Sequence, residues 1–325
     1  MSVPSAAGDR RPDRTTLLAF GGVVLFGGLN GLGVRQTVQE LAPFWGATLR
    51  FLAAGLIFLA IVLVSRRPIP RGRSLAGGIL YGAVGFAASY GFVYQGLREL
   101  SAGTTQLLIA LTPLLTFGLA ITQRQERFRV QGLAGAFVAL VGVAIVVADQ
   151  LSVAIPPGAL ILVILGAVCI AETGVIVKWI PRSDPFATNA VAMLTGAAML
   201  MALSIVSGEA RQLPVELVTW IAIGYLVVLG SVAMFALYLL ALRRWTASAV
   251  SYTTLLLPLV TLSAGTVVAG ERVSPLLLIG GAVVLIGVYV GAFLKVRPTR
   301  SSATSLPECL PVDALVGGGP ASRRT

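Results

Sequence analysis

Histidine is absent from the 325 residues, and only two cysteines occur. Each shortage removes a class of chemistry. Without imidazole, histidine-based triads, zinc sites with histidine ligands and histidine proton relays cannot be assembled. The long apolar runs contain no aspartate, which excludes intramembrane aspartyl chemistry. Cys169 sits within an apolar run and Cys309 in a polar C-terminal stretch, so no disulfide framework forms. No enzyme activity, cofactor or metal is expected from such a set.

Charge is also scarce, at 11% of residues against 56% hydrophobic. A soluble domain carries about 25% charged residues to clothe its surface, so the solvent for this chain is the lipid bilayer. The net charge of +11 would point to nucleic acid in a soluble protein. Here the arginines occupy short segments between apolar runs, which is the mark of membrane topology, and no nucleic-acid partner is expected.

A membrane-spanning helix needs about 20 mostly apolar residues. Ten stretches qualify: 15–33, 41–64, 75–97, 101–122, 130–148, 157–180, 186–207, 217–241, 247–269 and 275–294. Lengths near 20 are twice what a barrel strand requires, and backbone donors in hydrocarbon must pair within their own segment. The fold class is therefore all-α integral membrane. The first run follows Arg10, Arg11 and Arg14 as a signal peptide would, but it continues through Gly27, Gly28 and Asn30 to Arg35 without a small-residue cleavage site and reads as a retained helix. Residues 1–14 and 296–325, rich in Ser, Pro, Gly and Arg, read as disordered tails.

With the N-terminus placed in the cytoplasm, nineteen basic residues fall on the cytoplasmic face, and only Arg35, Arg98, Arg211 and Arg272 on the other. The positive-inside rule is met at every loop, which places both termini in the cytoplasm of a multi-pass cell-membrane protein. Trp45, Trp179, Trp220 and Trp245 all lie near span ends, where an aromatic belt belongs.

An internal repeat emerges at an offset of 145: Pro113 matches Pro258, Glu126 matches Glu271, Gly135 matches Gly280, Gly142 matches Gly287 and Gly85 matches Gly230. Pro43-Phe44 and Pro185-Phe186 recur at an offset of 142. The unit is five spans, 15–148 and then 157–294. Because five is odd, the second copy crosses in the opposite sense, related to the first by a pseudo-two-fold axis in the membrane plane. Inverted repeats of this kind are a recurrent device for alternating access, with the site at mid-membrane between the halves. Duplication into a mere scaffold or receptor is the rival reading, but the longest internal loop is about ten residues and offers little extramembrane surface.

The stretch LFGGLNGLGVRQ from Leu25, then Pro43 and Arg50-Phe51, resembles the opening of EamA-like members of the drug/metabolite transporter superfamily. LLIALTPLLTFGLAITQRQE and YTTLLLPLVTLSAGTVVAGE resemble the ends of its two EamA units. The resemblance implies ten helices around a central cavity, both termini cytoplasmic, and efflux of a small metabolite that is amino acid-like, purine-like or drug-like. Uptake remains the alternative direction.

Two ionisable residues lie deep in spans. Arg50 is roughly 14 Å from the outer end of the second span at 1.5 Å per residue, too deep to snorkel. It reads either as a trap for a substrate carboxylate or phosphate, or as a structural donor to carbonyls and hydroxyls of a neighbouring helix; the family resemblance favours the second. Glu172 lies about 22 Å from the outer end of the sixth span. It is a candidate for proton coupling, or else a side chain paired with a hydroxyl such as Thr173.

Further cavity candidates are Gln106 and Pro113, with their repeat partners Ser251 and Pro258, because a proline frees a carbonyl and bends a span at the same place in both halves. Tyr90 and Tyr94, one turn apart, and Phe235, the partner of Tyr90, either stack on substrate or pack. Asn30 and Asn189 bind ligand or join helices. The pairs Gly27/Gly31, Gly78/Gly82 and Gly287/Gly291 read as packing faces, the last a candidate homodimer contact.

The orientation is checked with alkaline phosphatase, which is active only outside the cytoplasm. Fusion after Gln212 is expected to be active and fusion after Arg71 inactive; the reverse pattern would invert the topology.

Overall fold

The structure is a computed structural model, and it describes residues 14–123, 130–152, 156–179, 181, 183–244, 253–268 and 273–290. Among these residues there is no strand. Ten helical segments follow in order: α1 (Arg14–Glu40), α2 (Pro43–Val64), α3 (Arg73–Gly96), α4 (Ala102–Ile109 and Thr112–Thr122), α5 (Val130–Ser152), α6 (Pro157–Trp179), α7 (Pro185–Val206), α8 (Leu217–Val227 continuing to Arg244), α9 (Thr253–Val268) and α10 (Pro275–Val288). Seven are long and apolar enough to cross a membrane, and shorter apolar stretches in α5, α9 and α10 complete the set. The two tails and Ser251 lie outside the described residues.

Local chemistry sets the boundaries. Prolines open α2, α6, α7 and α10, where their missing N–H costs no helical bond. Asp184 accepts hydrogen bonds from the Phe186 and Ala187 amides, and Ser274 accepts one from the Leu277 amide. α1 runs seven residues past the apolar stretch that predicts it, because its polar end is held: Arg35 donates to the carbonyls of Leu97 and Leu100 at the end of α3.

Proline divides α4. Pro113 has no amide for the Ile109 carbonyl, and the Thr112 hydroxyl takes that carbonyl at 2.6 Å. α9 carries Pro258 within a continuous helix, so the matched prolines do not produce matched breaks.

The packing is exchanged between the halves. α2 lies along α7 and α5 along α10; α1 packs on α8 and α9, as α6 packs on α3 and α4. Each of these pairings maps onto another when first-copy helices swap with second-copy ones. Side-chain detail repeats as well: Thr116 of α4 donates to the Ala171 carbonyl and to the Thr112 carbonyl, while Thr261 of α9 donates to Gly28 and to Leu257. α3 and α8 both widen into a π-helical turn, Gly82–Ala88 and Val228–Ala233, at the same register. This exchange is the architecture of two inverted five-helix repeats.

The main apolar core sits among α2, α3, α7 and α8, around Phe51, Phe58, Phe86, Tyr94, Met193, Leu200 and Leu226. Leu56, Leu63, Ile161, Leu165, Leu278 and Ile279 face outward, as they should when the surroundings are hydrocarbon. The α5–α10 contact is backbone against backbone. A Cβ on Gly142 would meet the Val284 nitrogen at 2.5 Å and the Gly280 oxygen at 2.8 Å, and one on Gly287 would meet the Ala139 nitrogen at 2.4 Å. Gly287 is thus spent inside the chain, which removes it as a dimer contact; Gly291 lies outside the described residues.

Gly142→Leu is expected to destabilise the protein by about 2–4 kcal/mol through lost α5–α10 contact. Gly224→Ala, where a Cβ meets nothing within 4 Å, should stabilise by about 0.5–1 kcal/mol. Thermal unfolding in detergent reads both.

Candidate functional site

At the centre of α2, Arg50 is 1% exposed. Its Nε donates to Ser231 Oγ at 3.2 Å, and Nη2 donates to the Gly230 carbonyl at 3.2 Å and reaches Asn30 Oδ1 at 3.5 Å. Asn30 Nδ2 donates to the same carbonyl at 3.2 Å. Both acceptors belong to the π-helical turn of α8, where Ser231 itself donates to the Leu226 carbonyl, five residues back. A Cβ at position 230 would fall 2.0 Å from Asn30 Oδ1, so only glycine lets Asn30 approach.

The α3 turn is closed differently. There the Gly85 carbonyl accepts from Ser89 of the same helix. At the places equivalent to Arg50 and Ser231, the other half has Ala192 and Phe86. Two-fold symmetry is therefore broken in polarity at the centre, with a charge and a hydroxyl on one side and methyl and phenyl groups on the other.

Aromatic rings close around the guanidinium. Its carbon lies 5.1 Å from the Phe51 ring centre and 5.2 Å from that of Tyr90. Phe51 meets Tyr90 edge-on at 4.7 Å and Phe86 at 5.0 Å; Phe86 stacks on Tyr90 at 6.2 Å and touches Phe235 at 6.5 Å; Tyr94 sits 6.4 Å from Tyr90. Asn189, a helix-joining candidate, accepts a hydrogen bond from the Tyr81 hydroxyl. Asn30, Arg50, Tyr90, Tyr94 and Phe235 thus form one cluster.

The remaining candidates lie elsewhere. Gln106 is buried in the first piece of α4, Pro113 marks its break, and Pro258 is buried in α9. Glu172 of α6 is bound by the Gln123 amide at 2.7 and 2.8 Å, at the C-terminal end of α4. Thr173 is not its partner, because that hydroxyl donates to the Cys169 carbonyl. Ser231 and Gln123 were not flagged by sequence reasoning. The available signal for Ser231 was the mismatch with Phe86 in an otherwise matched register.

Helix ends are clasped across the repeats. Glu209, beyond α7, accepts from the Phe44 and Trp45 amides at the start of α2, and Trp45 Nε1 donates to the Gln212 carbonyl. Glu40 accepts from the Val215 and Glu216 amides at the start of α8. Beyond the other end of α2, Arg67 pairs with Asp184 at 2.9 Å. Among the described residues no group of His, Cys, Asp and Glu is placed to hold a metal.

The EamA-like transporter family matches residues 14–148 and 157–292, once in each half. A chloroplastic WAT1-related protein of Arabidopsis thaliana is 26% identical over 281 residues, covering 82% of this chain and 67% of its own. The inner membrane transporter YedA of Escherichia coli is 26% identical over 244 residues, covering 74% and 78%. A protein of Salmonella typhimurium named "Probable amino-acid metabolite efflux pump" is 23% identical over 289 residues, covering 85% and 95%. A crystal structure at 22% identity matches with a TM-score of 0.60 over 88% of this chain and all of that one, which is a likeness of fold.

Ser231→Ala leaves the Arg50 Nε–H without its acceptor in a low-dielectric interior and should cost about 1–3 kcal/mol. The double substitution Arg50→Met with Ser231→Ala removes donor and acceptor together and is expected to recover part of that loss. Thermal melts of the three variants measure it.

Proposed function

The chain belongs to the EamA-like transporter family, and on that premise we propose that it is a secondary carrier of the cytoplasmic membrane that exports a small metabolite by alternating access. The observation that supports this reading is the exchanged packing of the two copies around a central polar cluster, with a π-helical turn in α3 and in α8 at one register. A helix wound with a bulge already has carbonyls outside its ladder and bends there at low cost. Two such points, related by the pseudo-two-fold axis, give each half an equivalent hinge beside the site. Rocking one half against the other then opens the site to one side at a time.

Both ends are tied across the copies, by Glu40 and Glu209 at the end assigned to the outside and by Arg67 with Asp184 at the other, and these bonds have to break in turn as the halves rock. The export direction is supported by the relative named as an efflux pump. The excess of arginine in the loops assigned to the cytoplasm supports placing both termini there.

Glu172 is the group through which a proton gradient acts in this reading. It is the carboxylate lying deepest along a span, its partner is the neutral Gln123 amide, and it sits on the cytoplasmic side of Arg50. Because that partner is neutral, no buried cation depends on the carboxylate for its counter-charge.

In proteoliposomes with an imposed pH gradient, solute flux by the wild type should follow the gradient and that by Glu172→Gln should not. Equal gradient dependence in both would remove Glu172 from the coupling scheme. Counterflow that fails for every amino acid, purine and cationic drug in a panel would count against the carrier reading itself.

A further inference from the structure

Among the described residues, Arg50 is the charged side chain that is wholly buried, and no carboxylate pairs with it; the ion pair these residues make is Arg67 with Asp184. A guanidinium offers five N–H donors. Nε and Nη2 are committed to Ser231, Gly230 and Asn30, while Nη1 is shut off from solvent and meets no acceptor among the described residues. Tyr94 Oη is equally enclosed; its polar neighbour is the guanidinium itself, and its own O–H meets no other acceptor among the described residues. An N–H of Nη1 and the phenol O–H therefore sit together, unspent on any carboxylate, around an uncompensated positive charge within a span.

A buried cation without a counter-ion is costly, and it costs most when its remaining N–H groups are unsatisfied. A purely structural arginine would avoid that state, since a neutral donor could hold the Gly230 carbonyl as Asn30 already does. We propose that the counter-ion is the solute. In this assignment a single carboxylate docks on Arg50 Nη1 and Tyr94 Oη, and the rest of the ligand is a flat apolar body resting on Phe86, Tyr90 and Phe235. The proposal builds on the carrier reading and adds the ligand's chemical class.

Charge arithmetic selects the monoanion. One uncompensated cation is neutralised by one carboxylate, whereas a phosphate dianion would bury a net negative charge with no second cation in the cluster. Geometry selects the flat body. Tyr90 and Phe235 are half-buried at the edge of the core, and Phe86 stacks nearly parallel to Tyr90 at an interplanar angle of 9°, so the rings already present broad flat surfaces to one another. The polarity asymmetry then has a purpose. Arg50 and Ser231 receive the charged end, and the Phe86 side of the same pseudo-two-fold receives the apolar end.

The probes are hydrocinnamate, its uncharged amide, and phenylpropylamine, titrated by calorimetry against the full-length protein in detergent. Wild type should bind the acid at least about tenfold more tightly than the amide, a difference of about 1.4 kcal/mol, and should not bind the amine. Arg50→Gln should abolish the preference. Tyr94→Phe keeps the ring and the packing, and should weaken acid binding by about three- to tenfold while leaving the amide unchanged. If Arg50→Gln fails to fold, Tyr94→Phe alone decides. Equal binding of acid and amide by wild type, no binding of either, or a preference left undiminished by Tyr94→Phe overturns the proposal. Counterflow separates the two readings: exchange of the amine but not the acid leaves the carrier standing and discards the anion site.

Discussion

Hydrocarbon offers no hydrogen bonds, so every backbone group that leaves its helical ladder must find a partner inside the protein. The rest of this structure follows from how that requirement is met at its irregular points. The carbonyl orphaned by Pro113 is taken by Thr112. In the α3 turn the Gly85 carbonyl accepts from Ser89, four residues on in the same helix. In the α8 turn the Gly230 carbonyl accepts from outside, from Asn30 of α1 and Arg50 of α2. Two of the three repairs are local and one is made between helices, and the one made between helices creates the polar centre of the molecule.

That difference matters for movement. A turn repaired within its own helix flexes without consulting its neighbours. A turn whose carbonyl is held by α1 and α2 cannot shift unless those helices move or release it. Arg50 therefore links the π-helical turn of α8 to the position of α2, and α2 is in turn tied at its start to Glu209 and just beyond its end, through Arg67, to Asp184. On the proposed carrier reading, a ligand that competes for the guanidinium changes how tightly the α8 turn is held, which is a physical route from binding to conformational change, and the aromatic cluster is the complementary contact surface, broad rather than directional.

The repeats show how symmetry and its violation divide the labour. Where the two copies agree, as in the Thr116 and Thr261 bonds or the glycines between α5 and α10, they build the frame. Where they disagree, as in Arg50 against Ala192 and Ser231 against Phe86, they furnish the centre. Glycine at both 85 and 230 belongs to the frame, since each lies in a widened turn pressed by another helix.

The sequence by itself settled the solvent, the helices and the duplication. Those properties are one-dimensional: apolar run length, arginine placement and a register of 145 are read directly along the chain. It also named Asn30, Arg50, Tyr90, Tyr94 and Phe235, because polar and aromatic residues in lipid-soluble spans stand out against leucine and valine. Only the tertiary structure decided which of them meet. Ser231 reaches Arg50 from 181 positions away, and Glu172 finds Gln123 in place of Thr173. Such contacts depend on which faces of α2, α6 and α8 turn inward, and on a widened turn in α8 that no hydrophobic period records. Helix formation is a local matter of backbone hydrogen bonds, but the orientation of one helix against another is fixed by packing, and packing exists only once the chain has closed on itself.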